Sequence, residues 1–92
     1  MRNKLLEIIN HYGVIPQLKY FQSEVFELNE AIIKHETSGC EYQHIAEEIA
    51  DVHVMLRQFQ LYYGITDEEI VKIANEKTLR QIERIKNEKE NN

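Results

Sequence analysis

The sequence predicts an all-α fold, an antiparallel bundle of three long helices and one short N-terminal helix completed by oligomerisation. Three observations lead there. Apolar residues recur at alternating steps of three and four through most of the chain, the period of a helix with one buried stripe. No stretch alternates apolar and polar residues over a useful length, and paired hairpin glycines are absent. Three long helices leave an open flank, which helices from a second copy would cover.

The first, short helix spans residues 3 to 12, with Leu5, Leu6, Ile8, Ile9 and Tyr12 on a broad apolar face and Gly13 ending it. Val14 and Ile15 lead to Pro16, the only proline, at a position where a first-turn proline is tolerated. A second helix then runs to about Glu36, with Leu18, Phe21, Val25, Leu28 and Ile32 as its stripe. In the connection, Ser38 and Glu41 have capping-box spacing, so the third helix can start as early as Gly39. That helix, up to Gly64, carries Ile45, Ile49, Val52, Leu56, Phe59 and Tyr63. Thr66 and Glu69 form a second capping-box pattern opening a fourth helix through Ile70, Val71, Ala74, Leu79, Ile82 and Ile85, with fraying expected beyond Lys86.

Ninety-two residues with 42% hydrophobic content predict a single domain with a modest core, one that gains from a partner subunit. No long uncharged apolar run is present, so no membrane partner is expected. The opening MRNKLLEIINHYG reads as an amphipathic helix rather than a signal peptide. One cysteine, Cys40, cannot staple the fold and fits a reducing cytoplasm, the expected location. A net charge of −5 argues against nucleic acid as a partner, since nonspecific binding rests on Lys and Arg neutralising phosphates.

Acidic residues are arranged on two of the helices in the same way. Glu48 and Asp51 are neighbours at i, i+3, and so are Glu24 and Glu27. With Glu48 at zero, the apolar stripe of its helix averages roughly +60° and Asp51 lies near about −60°; with Glu24 at zero, the corresponding values are about +80° and about −60°. A two-fold axis relates antiparallel neighbours and keeps equal-handed offsets on one side, so all four carboxylates should line one edge of the pair. One such pair alone is ordinary for a charged helix face in a chain with sixteen acidic residues. Two pairs with matching offsets beside the seam point to a metal site, because four crowded carboxylates repel one another unless cations neutralise them. Hard oxygen ligands suit magnesium, whose remaining positions suit phosphates.

The pattern SEVFEL (Ser23 to Leu28), followed after a loop by AEEIADVHVML (Ala46 to Leu56), resembles the E-E-x-x-E and E-x-x-D motifs of the MazG-like all-α nucleoside triphosphate pyrophosphohydrolases. ANEKTLRQIER (Ala74 to Arg84) is similar to that family's final helix, so the resemblance covers Gln17 to Arg84. It implies that Glu24, Glu27, Glu48 and Asp51 are magnesium ligands, with manganese a possible substitute. It also implies cleavage of a (deoxy)nucleoside triphosphate to a monophosphate and pyrophosphate, with Glu27 the candidate to orient or deprotonate the attacking water. The chain departs from the pattern at Ser23, where the family usually has the first glutamate.

On the last helix, Lys77, Arg80 and Arg84 form a basic face at i, i+3, i+7 spacing. The resemblance reads Lys77 and a nearby arginine as triphosphate contacts and Asn75 as a further one; ordinary surface pairing, Glu76 with Arg80, is the alternative. His44, one turn before Glu48, can reach phosphate or simply be exposed. Gln17 and Tyr20 share the edge of Glu24 and are candidates for the nucleobase, against simple packing. His11, His35 and His53 show no metal-ligand spacing. The expected partners are a nucleoside triphosphate and further copies of the chain, as homodimer or homotetramer. A phosphoribosyl-ATP pyrophosphohydrolase-like enzyme and a noncatalytic helical interaction module stand as alternatives.

Overall fold

The computed structural model describes residues 1–39 and 42–91, Tyr42 by its backbone alone. Four helices account for nearly all of it: α1 (Arg2–Tyr12), α2 (Val14–Ser38), α3 (Tyr42–Tyr62) and α4 (Asp67–Glu90). There is no strand among the described residues. Gly13 separates α1 from α2 with φ 92°, a left-handed value that a residue with a Cβ rarely adopts, and its N–H donates to the Ile9 carbonyl at 2.8 Å. α2 therefore starts at Val14, two residues before Pro16, which occupies its first turn.

Gly39 does not open α3. It closes α2, in the αL conformation at φ 73° with its N–H on the His35 carbonyl at 2.8 Å. Ser38 is the last residue of α2 and donates its hydroxyl to the Lys34 carbonyl at 2.5 Å. Glu41, the other half of the expected capping box, lies outside the described residues, as does Cys40. The second capping box forms in full: Glu69 N–H donates to Thr66 Oγ1 at 3.1 Å, and Thr66 N–H donates to Glu69 Oε2 at 3.2 Å. Beyond Lys86 the chain is helical to Glu90.

α1, α2 and α3 pack on one another. Gln17 meets Gln58, while Glu24 and Glu27, further along α2, meet Glu48, earlier on α3; the two helices are antiparallel. Phe21 and Phe59 stack edge to face across them, with ring centroids 5.6 Å apart. α1 caps one end of the pair with Leu5 and the fully buried Ile9.

The seam between α2 and α3 is not where the apolar stripes place it. Leu18 and Ile32 are exposed, as are Ile49, Leu56 and Tyr63, while Phe21, Val25, Leu28, Ile45, Val52 and Phe59 are only half-buried. The residues that are buried lie one position earlier: Gln17, Glu24 and Ala31 on α2, and Glu48 and Met55 on α3. One position is about 100° of rotation, so the carboxylate edge faces inward and much of the apolar stripe faces out.

The three long helices do not form a bundle within one chain. α4 packs against none of the others and buries none of its own residues. Ile70, Val71, Leu79, Ile82 and Ile85 are all exposed. Its first residue, Asp67, is tied to α3 by an ion pair with Arg57 and by Gln60 Nε2, which donates to Asp67 Oδ1 at 2.6 Å. The Gln60 and Arg57 hydrogen bonds hold the Asp67 carboxyl below its ordinary pKa. α4 does not lie over the α2–α3 stripes, and they stay open. No helix among the described residues is long and apolar enough to cross a membrane.

Among the described residues, Ile9 is the only aliphatic side chain with no exposure in this small core. Ile9→Ala should lower unfolding free energy by about 3 kcal/mol, read as a reduced midpoint in urea melts followed by circular dichroism.

Candidate metal centre

Glu24 and Glu27 lie one turn apart on α2, and the antiparallel approach of α3 brings Glu48 against them. One carboxylate oxygen from each lies within 4.8 Å of the other two. Glu24 and Glu48 are each only 6% exposed, while Glu27 is open to solvent. In both buried residues Oε2 has no hydrogen-bond partner. A buried carboxylate oxygen with nothing to accept from is among the most unfavourable groups a core can hold.

The electrostatics follow from that placement. Burial pushes the Glu24 pKa up; the Tyr20 hydroxyl opposes this by hydrogen bonding, and the charges of Glu27, Asp51 and Glu48 raise it further. Burial is also the main cause for Glu48, whose pKa is raised again by Glu27 and Asp51 and eased by His44. His44 Nε2 stands 3.7 Å from Glu48 Oε1, and its Nδ1 is 4.0 Å from the Glu47 carboxylate. The bond to Glu24 in turn raises the Tyr20 pKa.

Asp51 sits outside the triad. It contributes charge to the triad from the wall of an adjoining cavity of about 550 Å³. Ile8 and Tyr12 of α1, Pro16, Gln17 and Tyr20 of α2, and Asp51, Val54, Met55 and Gln58 of α3 line it. Gln17 Nε2 donates to Gln58 Oε1 at 2.8 Å across this wall. Tyr20, one turn before Glu24 on α2, and Asp51, one turn after Glu48 on α3, both line the cavity and so set it beside the triad. The arrangement offers a hard, all-oxygen donor set beside a partly apolar recess, the kind of donors a small divalent cation accepts.

Of the residues singled out in the sequence, Glu24, Glu27 and Glu48 come together, Asp51 and His44 flank them, and Gln17 and Tyr20 enter the cavity beside them. Asn75, Lys77, Arg80 and Arg84 do not join them. They are exposed on α4, which meets α3 near its N-terminal end and packs on no other helix of the same chain. The Glu76–Arg80 pair does not form among the described residues, and Arg84 instead donates to Gln81 at 3.4 Å. Ser23 is exposed on α2 next to Glu24, while His11 meets Tyr12 edge to face and His53 lines a small cleft at the α3–α4 junction.

Met55 and Gln58 are the site residues that periodicity hides. Met55 lies next to the apolar stripe and reads as core. Gln58 has one signal: it follows Asp51 by seven residues, as Gln17 precedes Glu24 by seven, so each amide sits two turns from an acid on the same face.

No protein-family model, no curated protein and no solved structure matches this chain. The MazG-like resemblance therefore stands on the motifs and their spacing.

A raised carboxylate pKa means that the folded state holds a proton the unfolded state has released. The protein without metal should lose stability as pH rises from the ordinary carboxylate value of 4.5 through the raised values of Glu24 and Glu48. Glu48→Gln should flatten that profile and raise the thermal midpoint at pH 7. A variant profile as steep as the native one would show that the carboxylate is not the source.

Proposed function

We propose that the chain is a magnesium-dependent nucleotide pyrophosphohydrolase, acting in the cytoplasm on a (deoxy)nucleoside triphosphate. Water adds to the α-phosphorus and the bond to the bridging oxygen breaks, giving a nucleoside monophosphate and pyrophosphate. The observation carrying this reading is the pair of buried, unpartnered carboxylate oxygens on Glu24 and Glu48, in a triad with Glu27. Such oxygens are strongly unfavourable as they stand and become favourable once a cation accepts them.

Glu24 and Glu48 would anchor the metal from the buried side and Asp51 from the cavity side. When bound, magnesium supplies polarisation of phosphate oxygens and a lowered pKa for the attacking water. Glu27, the solvent-facing member, would orient that water and take its proton. His44 is within reach of a phosphate at the open end, beside Glu48.

A triphosphate gains from cations beyond the metal, and among the described residues no Lys or Arg forms an ion pair with the triad. We assign that role to the α4 of a second copy. Its exposed Ile70, Leu79 and Ile82 would cover the open Leu18, Ile32, Ile49 and Leu56 of its partner, and the ridge of Lys77, Arg80 and Arg84, with Asn75, would face the partner's acids. Homodimer and homotetramer both satisfy this requirement.

The test is pyrophosphate release from a panel of triphosphates with and without magnesium. Turnover should require the metal and fall on the order of 100-fold or more in Glu24→Gln and Glu48→Gln, the scale of losing a preorganised electrostatic contact. No turnover, together with a thermal midpoint indifferent to magnesium and nucleotide, would instead mark a noncatalytic helical module. The shared site has its own check: Lys77→Ala and Glu48→Gln proteins, each inactive alone, should recover activity when unfolded and refolded together.

A further inference from the structure

We propose that the Gln17–Gln58 amide pair reads the base, and that it selects a nucleobase carrying an exocyclic amine, cytosine or adenine, over a keto base such as uracil. This rests on the pyrophosphohydrolase reading for its substrate, although the cavity can be tested apart from catalysis. The two amides are 8% and 2% exposed, and both line the cavity whose wall also carries Asp51 and Tyr20.

Their orientation is set by chemistry. Gln17 Nε2 donates to Gln58 Oε1 at 2.8 Å, and both amide nitrogens face the Met55 sulfur, at 4.0 Å from Gln17 and 3.8 Å from Gln58. A thioether accepts and cannot donate, so it favours the amide NH₂ groups on its side and the oxygens turned away. Gln58 Oε1 is then used by Gln17. Gln17 Oε1 is left as the one oxygen of the pair with no hydrogen bond among the described residues.

A ligand entering here meets a fixed acceptor. An exocyclic amine satisfies it, whereas a carbonyl oxygen in the same place opposes oxygen to oxygen and leaves both without a donor. Tyr12 and Tyr20 line the same cavity with more than half of their surface open, leaving ring area for a base to rest on. Because Tyr20 lies one turn before Glu24 on α2, a base held against it would have its phosphates directed toward the triad. Gln58 contacts the ligand only through Gln17 and is a positioning residue.

The experiment compares KM and kcat for dCTP, dATP and dUTP in the native protein and in Gln58→Met, a substitution close in volume that deletes the amide. The native protein should favour dCTP and dATP over dUTP by about tenfold or more in KM, and Gln58→Met should erase that preference with a smaller effect on kcat. Equal KM values in the native protein, or a preference unchanged in the variant, would overturn the proposal. Metal-free titration of the native protein with deoxycytidine and deoxyuridine, followed by the Met55 methyl resonance, separates this inference from the enzymatic one. Binding of deoxycytidine alone supports the amide reading even if no triphosphate is hydrolysed, and equal binding or no binding of either rejects it.

Discussion

Glu24 and Glu48 face each other across the α2–α3 seam with oxygens that accept nothing, and the rest of the molecule is arranged around that strain. Like charges drawn out of water repel more strongly than they do on a surface, and the protein answers in part by holding protons on them. Tyr20 and His44 offset some of the cost, from opposite sides of the triad. The seam is thus polar along much of its length, from the Gln17–Gln58 bond through the acids, with Ala31, Met55 and the Phe21–Phe59 contact among its apolar parts.

A polar seam has a consequence for stability. Among the described residues only Leu5, Ile9, Ala31, Met55 and Leu61 are buried apolar ones, few for a chain of 92. The apolar side chains that would have filled a core are on the outside, on the stripes of α2 and α3 and along α4. Contiguous apolar surface on this scale is uncommon in isolated small proteins and is usual where chains associate. The open flank and the unpartnered α4 are the same feature seen from two helices, because α4, joined to α3 through Asp67, does not lie over the stripes.

The acid triad and the amide pair share one geometric origin. Residues seven apart fall on the same face after two turns, so a seam that buries Glu24 also presents Gln17, and one that draws in Asp51 also presents Gln58. Chemistry for a cation and chemistry for a neutral ring thereby occupy successive turns of the same two helices. Tyr20 is the physical link between them, touching the cavity with its ring and Glu24 with its hydroxyl.

By itself the sequence determined the elements and the pairing of the acids. The three-four periodicity named four helices, Gly13 marked the first break, and Thr66 with Glu69 marked a cap that forms as expected. Matching offsets on two antiparallel helices brought Glu24, Glu27 and Glu48 to one place, because helical spacing is local and survives whatever packs around it. What only the tertiary structure decided was which edge of each helix turns inward and where α4 goes. A stripe such as Leu18, Val25 and Ile32 reports that a face is apolar but not what covers it, and here the cover within one chain is missing. The seam therefore settled one residue earlier on each helix. That rotation buries Gln58 beside Gln17, while Lys77 and Arg80 lie on α4, away from the triad.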